Sequence, residues 1–312
     1  MTVLLTVLGV ALIGVALRDI FHTLFAPTGS GSISSLTARH IWRLFRRWAR
    51  RRPDVLTLAG PLALLLIIAL WTLALTIGWA LVLWPHLADA FLLSATERPE
   101  EDHGFVDAVY ISLVTLSTLG YGDITPVSDW MRIVAPLEAL IGFALMTASI
   151  SWILSIYPVL SRRRHLAREV FLLQRTERQT GVTTTNMSQG TLESILMDLT
   201  QRTINLRNDL AQFPITYYFH TPDRGSAIEV ALLEIAALAR ASCDHGSPAV
   251  RLCAALLLEA LTDLATHVGE AFLDRDTGSL DDLLAAYAAD HSHPLERDVR
   301  EGDIAGEYHA ER

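Results

Sequence analysis

Residues 115–123 read Thr-Leu-Ser-Thr-Leu-Gly-Tyr-Gly-Asp, and their types and spacing can do chemistry. Gly120 and Gly122 permit backbone torsions that side-chain-bearing residues resist, so successive carbonyl oxygens can be turned toward one axis. A row of carbonyls can replace the water shell of a dehydrated cation, and Thr118 adds a hydroxyl. Non-helical backbone at membrane depth is tolerated only where it is buried in protein or lines a cavity. The flanking elements must therefore supply a membrane setting, a short helix leading in and an extended strand leading out.

Those elements are legible. The chain has 312 residues, 51% of them hydrophobic, and a positive mean hydropathy. This composition indicates membrane spans with a soluble remainder and excludes a single compact soluble domain. Val55 to Trp84 carries no charge over 30 positions, enough for a tilted transmembrane helix. Ile133 to Tyr157 is interrupted only by Glu138. Residues 1–25 form a third candidate span. It lacks the positive start of a secretory leader, so a retained helix is expected. Between the two strong spans, Phe105 to Ser117 is apolar but too short to cross. Thr118 to Asp123 and Pro126 follow, which together predict a re-entrant hairpin.

Arginine counts orient the chain. Segment 26–54 holds seven arginines and 85–107 only Arg98, while Arg162, Arg163, Arg164 and Arg168 follow the last span. The expected arrangement places 26–54 and the C-terminal half in the cytoplasm and 85–130 outside. The run Arg39 to Arg52 mixes cations with Ile41, Trp42, Leu44, Phe45 and Trp48, as an amphipathic helix at the membrane surface would.

Thr118-Leu119-Gly120-Tyr121-Gly122-Asp123 resembles the Thr-Val-Gly-Tyr-Gly-Asp signature of potassium channels. Thr115-Leu116-Ser117 resembles the Thr-x-Thr before it. Over 55–160 the pattern is similar to the prokaryotic two-transmembrane-helix, single-pore-loop family. The resemblance implies K⁺ sites at the carbonyls of Thr118, Leu119, Gly120 and Tyr121, with Gly122 completing the filter. Thr115, Ser117, Asp123, Tyr110 and Glu138 are implied as its support, Tyr110 as a partner of Asp123 and Glu138 behind the short helix. Leu119 stands where valine is usual and Ser117 where threonine is, which puts conductance and inactivation in question. Val114 stands where some relatives have glutamate. One filter segment per chain implies a homotetramer.

Gly142 reads either as a gating hinge or as a close-packing glycine. Helical spacing puts Phe143, Met146, Ile150, Ser151 and Leu154 on one stripe, toward a cavity or gate. Asp89, Glu97, Glu100, Glu101, Asp102 and Asp107 outnumber Arg98 in the outer segment and would form a negative vestibule in a tetramer. Cys243, His245 and Cys253 fit no structural zinc spacing and read as helix-face residues. Residues 159–312 hold 23 acids against 15 arginines, a net −8, which disfavours nucleic acid as a partner. Helical spacing recurs in 191–211, 226–242, 248–273 and 279–289, and Ile215 to Phe219 suggests a short extended piece. No Gly-x-Gly-x-x-Gly follows a strand, and no nucleophile–base constellation is present, so an enzyme is not expected.

The expectation is an all-α membrane protein. It has an N-terminal transmembrane helix (1–25), a basic connector (26–54) and a pore-loop channel fold (55–160). Within that fold lie an outer helix (55–84), pore helix and filter (104–125) and inner helix (131–158). A helical cytoplasmic domain (161–290) and a disordered tail (291–312) complete it. The expected function is passive K⁺ conduction across the inner (plasma) membrane. The permeant ion needs no organic cofactor. The gate answers, through the cytoplasmic domain, to a stimulus the sequence leaves open: pH, Ca²⁺, a small ligand or voltage, with any cytoplasmic ligand or partner equally open. The alternatives are a weakly selective cation channel and a non-conducting membrane-anchored sensor.

Overall fold

The computed structural model describes residues 1–26, 31–49, 53–93, 104–275 and 277–291. The tail expected to be disordered, the acids Glu97, Glu100, Glu101 and Asp102, Arg98 and Arg50 to Arg52 lie outside the described residues. The chain divides into two compact units: residues 1–160 with 210–219, and 161–209 with 220 onward. Among the described residues three helices are long and apolar enough to cross a membrane: Thr2–Leu24, Asp54–Ala90 and Met131–Thr180.

In the first unit, α1 (Thr2–Leu24) packs along α3 (Ala59–Leu83). Gly9, Ile13, Ala16 and Ile20 form its buried stripe at helical spacing. A Cβ on Gly9 would lie 2.5 Å from the carbonyl oxygen of Gly78, so the two backbones touch. Without a hydrophobic drive between helices in lipid, such small-residue contacts are what let spans associate.

α2 (Ser32–Ala49) is the amphipathic connector, and its first turn is held by a residue of α1. Asp19, buried, accepts from the amides of Ile33 (2.8 Å) and Ser34 (3.3 Å) and from the Ser34 hydroxyl (2.6 Å). It also accepts from the indole Nε1–H of Trp71 in α3 at 2.8 Å. One carboxylate thus caps a helix that is not its own and joins three elements.

A 3-10 turn, Pro53–Leu58, precedes α3. The regular outer helix therefore begins at Ala59, later than the expected 55. Pro61 falls in its first turn, where no amide donor is needed. After α3 come a 3-10 turn (Trp84–His86), one turn of helix α4 (Leu87–Ala90) and strand β1 (Phe91–Leu93). β1 pairs antiparallel with β2 (Ile124–Pro126), Leu92 opposite Thr125. This ribbon ties the end of the outer helix to the segment leaving 118–123. Beneath it Leu83, Leu87, Phe91, Ile111 and Met131 form an apolar core.

α5 (Phe105–Leu116) is the short helix, and α6 runs unbroken from Met131 to Thr180. The inner helix expected to close at 158 continues through Pro158, because one proline removes one backbone bond and its neighbours keep the ladder. Trp71 of α3 and Trp152 of α6 stack with centroids 5.7 Å apart. Ile215 to Phe219, expected to be a short extended piece, fall instead on a 3-10 turn, Pro214–Tyr218. Pro214 sets its φ, and Thr216 donates its amide to Phe213 at 2.9 Å. Tyr217 and Tyr218 lie 6.1 and 5.9 Å from the Trp42 ring of α2.

The second unit is helical: the end of α6, then α7 (Gln189–Gln212), α8 (Ile228–His245), α9 (Pro248–Phe272) and α10 (Leu280–Asp290). α10 opens with a capping box in which Ser279 and Asp282 exchange hydrogen bonds. Inside lies a buried ion pair, Arg163 of α6 with Glu229 of α8 at 3.6 Å. Tyr287 of α10 is buried beside them.

Candidate functional site

The site is built where α5 ends. Gly104 opens that helix by donating its amide to Asp107 Oδ2 at 2.9 Å, so Asp107, read as a vestibule acid, serves as a cap. At the other end the Ser117 hydroxyl donates to the Leu113 carbonyl at 2.6 Å. The chain then doubles back: Thr118 N donates to Thr115 O at 2.9 Å and Leu119 N to Val114 O at 3.0 Å. The last-turn carbonyls of α5, which a helix leaves unpaired, are thereby engaged by the residues that follow.

From there the backbone alternates. Thr118, Gly120 and Gly122 have φ of +60°, +54° and +77°, while Leu119 and Tyr121 between them do not enter that region. Every second residue being left-handed turns consecutive peptide units the same way, which suits a line of carbonyls facing one ion path. A Cβ on Gly120 or Gly122 would meet nothing within 4 Å, so torsion rather than space selects glycine there. Thr118 holds the same torsion with a side chain, at a cost of roughly 1–2 kcal/mol. Residues 117–122 are all exposed on the isolated chain, Leu119 and Tyr121 to 58% and 67%.

Two hydrogen bonds brace this segment. Tyr110 Oη donates to Asp123 Oδ2 at 2.6 Å. That bond holds the Asp123 carboxyl below its ordinary range. Ser112 Oγ donates to Glu138 Oε1 at 2.6 Å, with both residues fully buried. One turn beyond Glu138, a Cβ on Gly142 would lie 1.8 Å from the Leu116 carbonyl oxygen. α6 thus touches α5 through a side-chain bond at its middle and through bare backbone at its end.

Of the expected stripe on α6, Phe143, Met146, Ile150 and Leu154 are each more than half exposed, and Ser151 is exposed beside them. Thr115 takes part through its carbonyl. Cys243 and Cys253 are free thiols in the second unit, far along the chain from this site, and the His245 side chain lies outside the described set.

Three relationships escaped sequence reasoning. Asp19 is one, although a carboxylate within a candidate span is the signal of a buried partner. Ser112 was not paired with Glu138. Gly9 and Gly78 carry no local mark of their contact.

The family described as "Ion channel" matches residues 65–157. The uncharacterized membrane protein YdjJ of Bacillus subtilis is 25% identical over 218 residues, covering 69% of this chain and 63% of that protein. Two-pore potassium channel 5 of Arabidopsis thaliana is 40% identical over 55 residues, 18% of this chain and 14% of the channel. Two-pore potassium channel 2 of the same plant is 40% identical over 52 residues, 17% and 12%. The chain thus spans less than two thirds of each of these relatives. No solved structure matches. Residues 65–157 thus resemble an ion-channel domain, and the two plant relatives support a likeness to pore-loop potassium channels.

Proposed function

We propose that this protein is a K⁺-selective channel subunit that conducts passively as a homotetramer, with its second unit in the cytoplasm governing the gate. The alternating left-handed torsions at Thr118, Gly120 and Gly122 carry the reading. They support a reading in which the carbonyls of Thr118, Leu119, Gly120 and Tyr121 form stacked K⁺ sites. The exposed Leu119 and Tyr121 support an assembly in which neighbouring copies cover them.

In this reading Tyr110, Ser112, Asp123 and Glu138 brace the filter, with Thr115 and Ser117 closing the helix behind it. Phe143, Met146, Ile150, Ser151 and Leu154 line the cavity, and Gly142 sets the distance between inner helix and filter or acts as a hinge. The arginines of 26–54 and 162–168 support an inner-membrane orientation with the C-terminal half inside. The names of the plant relatives support potassium as the ion.

Proteoliposomes loaded with K⁺ and diluted into Na⁺ test this. A K⁺ efflux that far exceeds Na⁺ flux is expected. Equal fluxes make the protein a weakly selective cation channel. An assembled tetramer without flux makes it a membrane-anchored sensor.

A further inference from the structure

The chain passes between its two compact units at three places: within α6 at 160–161, then at 209–210 and 219–220. The last two bracket an excursion. Residues 210–219 lie in sequence between the body of α7 and α8, both of the second unit, yet they pack with the first.

A connection between helices ordinarily runs exposed over the surface, whereas this one is held like core. Ile215, Thr216, Tyr217 and Tyr218 are buried, the two tyrosines against Trp42 of α2. A Cβ on Gly60, in the first turn of α3, would lie 2.6 Å from the Phe219 ring, so that ring rests on bare helix backbone. The seat is itself fixed, because Asp19 bonds the start of α2 to Trp71 of α3.

The upstream end of the excursion is gripped as well. Asp209, the residue before it, accepts from Arg162 of α6 twice, from Nε at 3.0 Å and from Nη2 at 2.7 Å. Such a fork fixes direction as well as distance. Arg162 lies eight positions beyond Leu154, the last residue of the stripe assigned to the cavity, on the same unbroken helix, about 12 Å along its axis.

We propose that residues 209–219 restrain the gate by tying the end of the inner helix, at Arg162, to α2 and the start of the outer helix. The inference rests on the channel reading above and adds its regulation. An inner helix so tied cannot swing away from the outer one, and the second unit opens the pore by drawing on α7 or α8 until the tie yields.

The test uses full-length protein, with unstimulated K⁺ efflux from proteoliposomes, hydrogen exchange in detergent and size exclusion to confirm assembly. Phe219→Ala and Tyr218→Ala loosen the seat and are expected to raise efflux on the order of tenfold. Arg162→Gln removes an exposed fork and should raise it about threefold, the scale of such a pair, without unfolding the chain. Preference for K⁺ over Na⁺ stays unchanged in all three. In Arg162→Gln the amides of Thr216 and Phe219, which donate to the Phe213 and Thr216 carbonyls, should exchange faster although Thr216 is 54 positions away. Exchanging the charges, Arg162→Asp with Asp209→Arg, should restore both readouts. Faster exchange with unchanged efflux would make the segment an anchor and overturn its gating role. Exchange that ignores Arg162→Gln would overturn the tie itself, whatever the protein conducts. Exchange that responds as expected in an assembled protein that passes no K⁺ in any form would instead overturn the channel reading, and the gating role with it.

Discussion

The Cα of Gly142 and the carbonyl of Leu116 meet so closely that a methyl group on Gly142 would lie 1.8 Å from the Leu116 oxygen. The obstructing atom is backbone, so no rotamer change relieves it. Gly142→Ala is expected to displace α6 from α5 and cost more than ~2 kcal/mol. Thermal stability in detergent measures this, and Gly14→Ala, with open space around it, is the control that should hold steady or gain up to ~1 kcal/mol. A Gly142→Ala protein that assembles normally and differs only in open probability would favour the hinge role over close packing.

The Ser112–Glu138 bond lies wholly in the interior. Glu138→Leu strands the hydroxyl, and Ser112→Ala strands the carboxyl group, each at about 1–3 kcal/mol. Removing both should cost less than the sum of the two, giving a coupling of about 1 kcal/mol or more in a double-mutant cycle. Glu138→Gln retains an acceptor and is expected to stay near wild type. Strict additivity across the cycle would mean that the bond does not hold α5 against α6.

At Gly120 the demand is torsional, φ +54°. Gly120→Ala adds a side chain in a left-handed conformation at roughly 1–2 kcal/mol per chain. Selective K⁺ flux should vanish while the assembled species still forms, as read by flux in K⁺ and in Na⁺. Normal discrimination in this variant is incompatible with carbonyl coordination by residues 118–121.

Burial pushes the Tyr287 phenol from 10.0 up to about 12. A folded pKa above the unfolded one means the associated stability is complete below pH 10 and is lost as pH rises through about 12. The second unit should therefore weaken across that alkaline window, and Tyr287→Phe should flatten the decline. Urea midpoints measured at several pH values check this. An unchanged slope in the variant assigns the alkaline loss to other groups.

What the sequence reveals here follows from the range of each signal. Spans are local: 30 uncharged residues from Val55 to Trp84 have few other uses. Gly120 and Gly122 announce their torsions because no other residue tolerates them as cheaply. Helical spacing placed four helices of the second unit within a few residues of Gln189–Gln212, Ile228–His245, Pro248–Phe272 and Leu280–Asp290. Pairings across the fold stayed hidden. Nothing near Asp19 names Trp71, 52 positions away, and nothing near Gly9 names Gly78. Ile215 to Phe219 misled because adjacent tyrosines favour strands, whereas Pro214 and the packing on Trp42 settle a turn.

The Asp19 carboxylate has a historical consequence. Its four donors belong to Ile33, Ser34 and Trp71, so the first helix, the connector and the outer helix form one heritable unit. A lineage that discarded α1 would leave the Trp71 indole and the start of α2 without their acceptor, at a cost few membrane proteins can absorb. Across homologous genomes, aspartate at 19 and tryptophan at 71 should accordingly be gained and lost together. An alignment in which they sort independently would show that the two helices were joined by separate events.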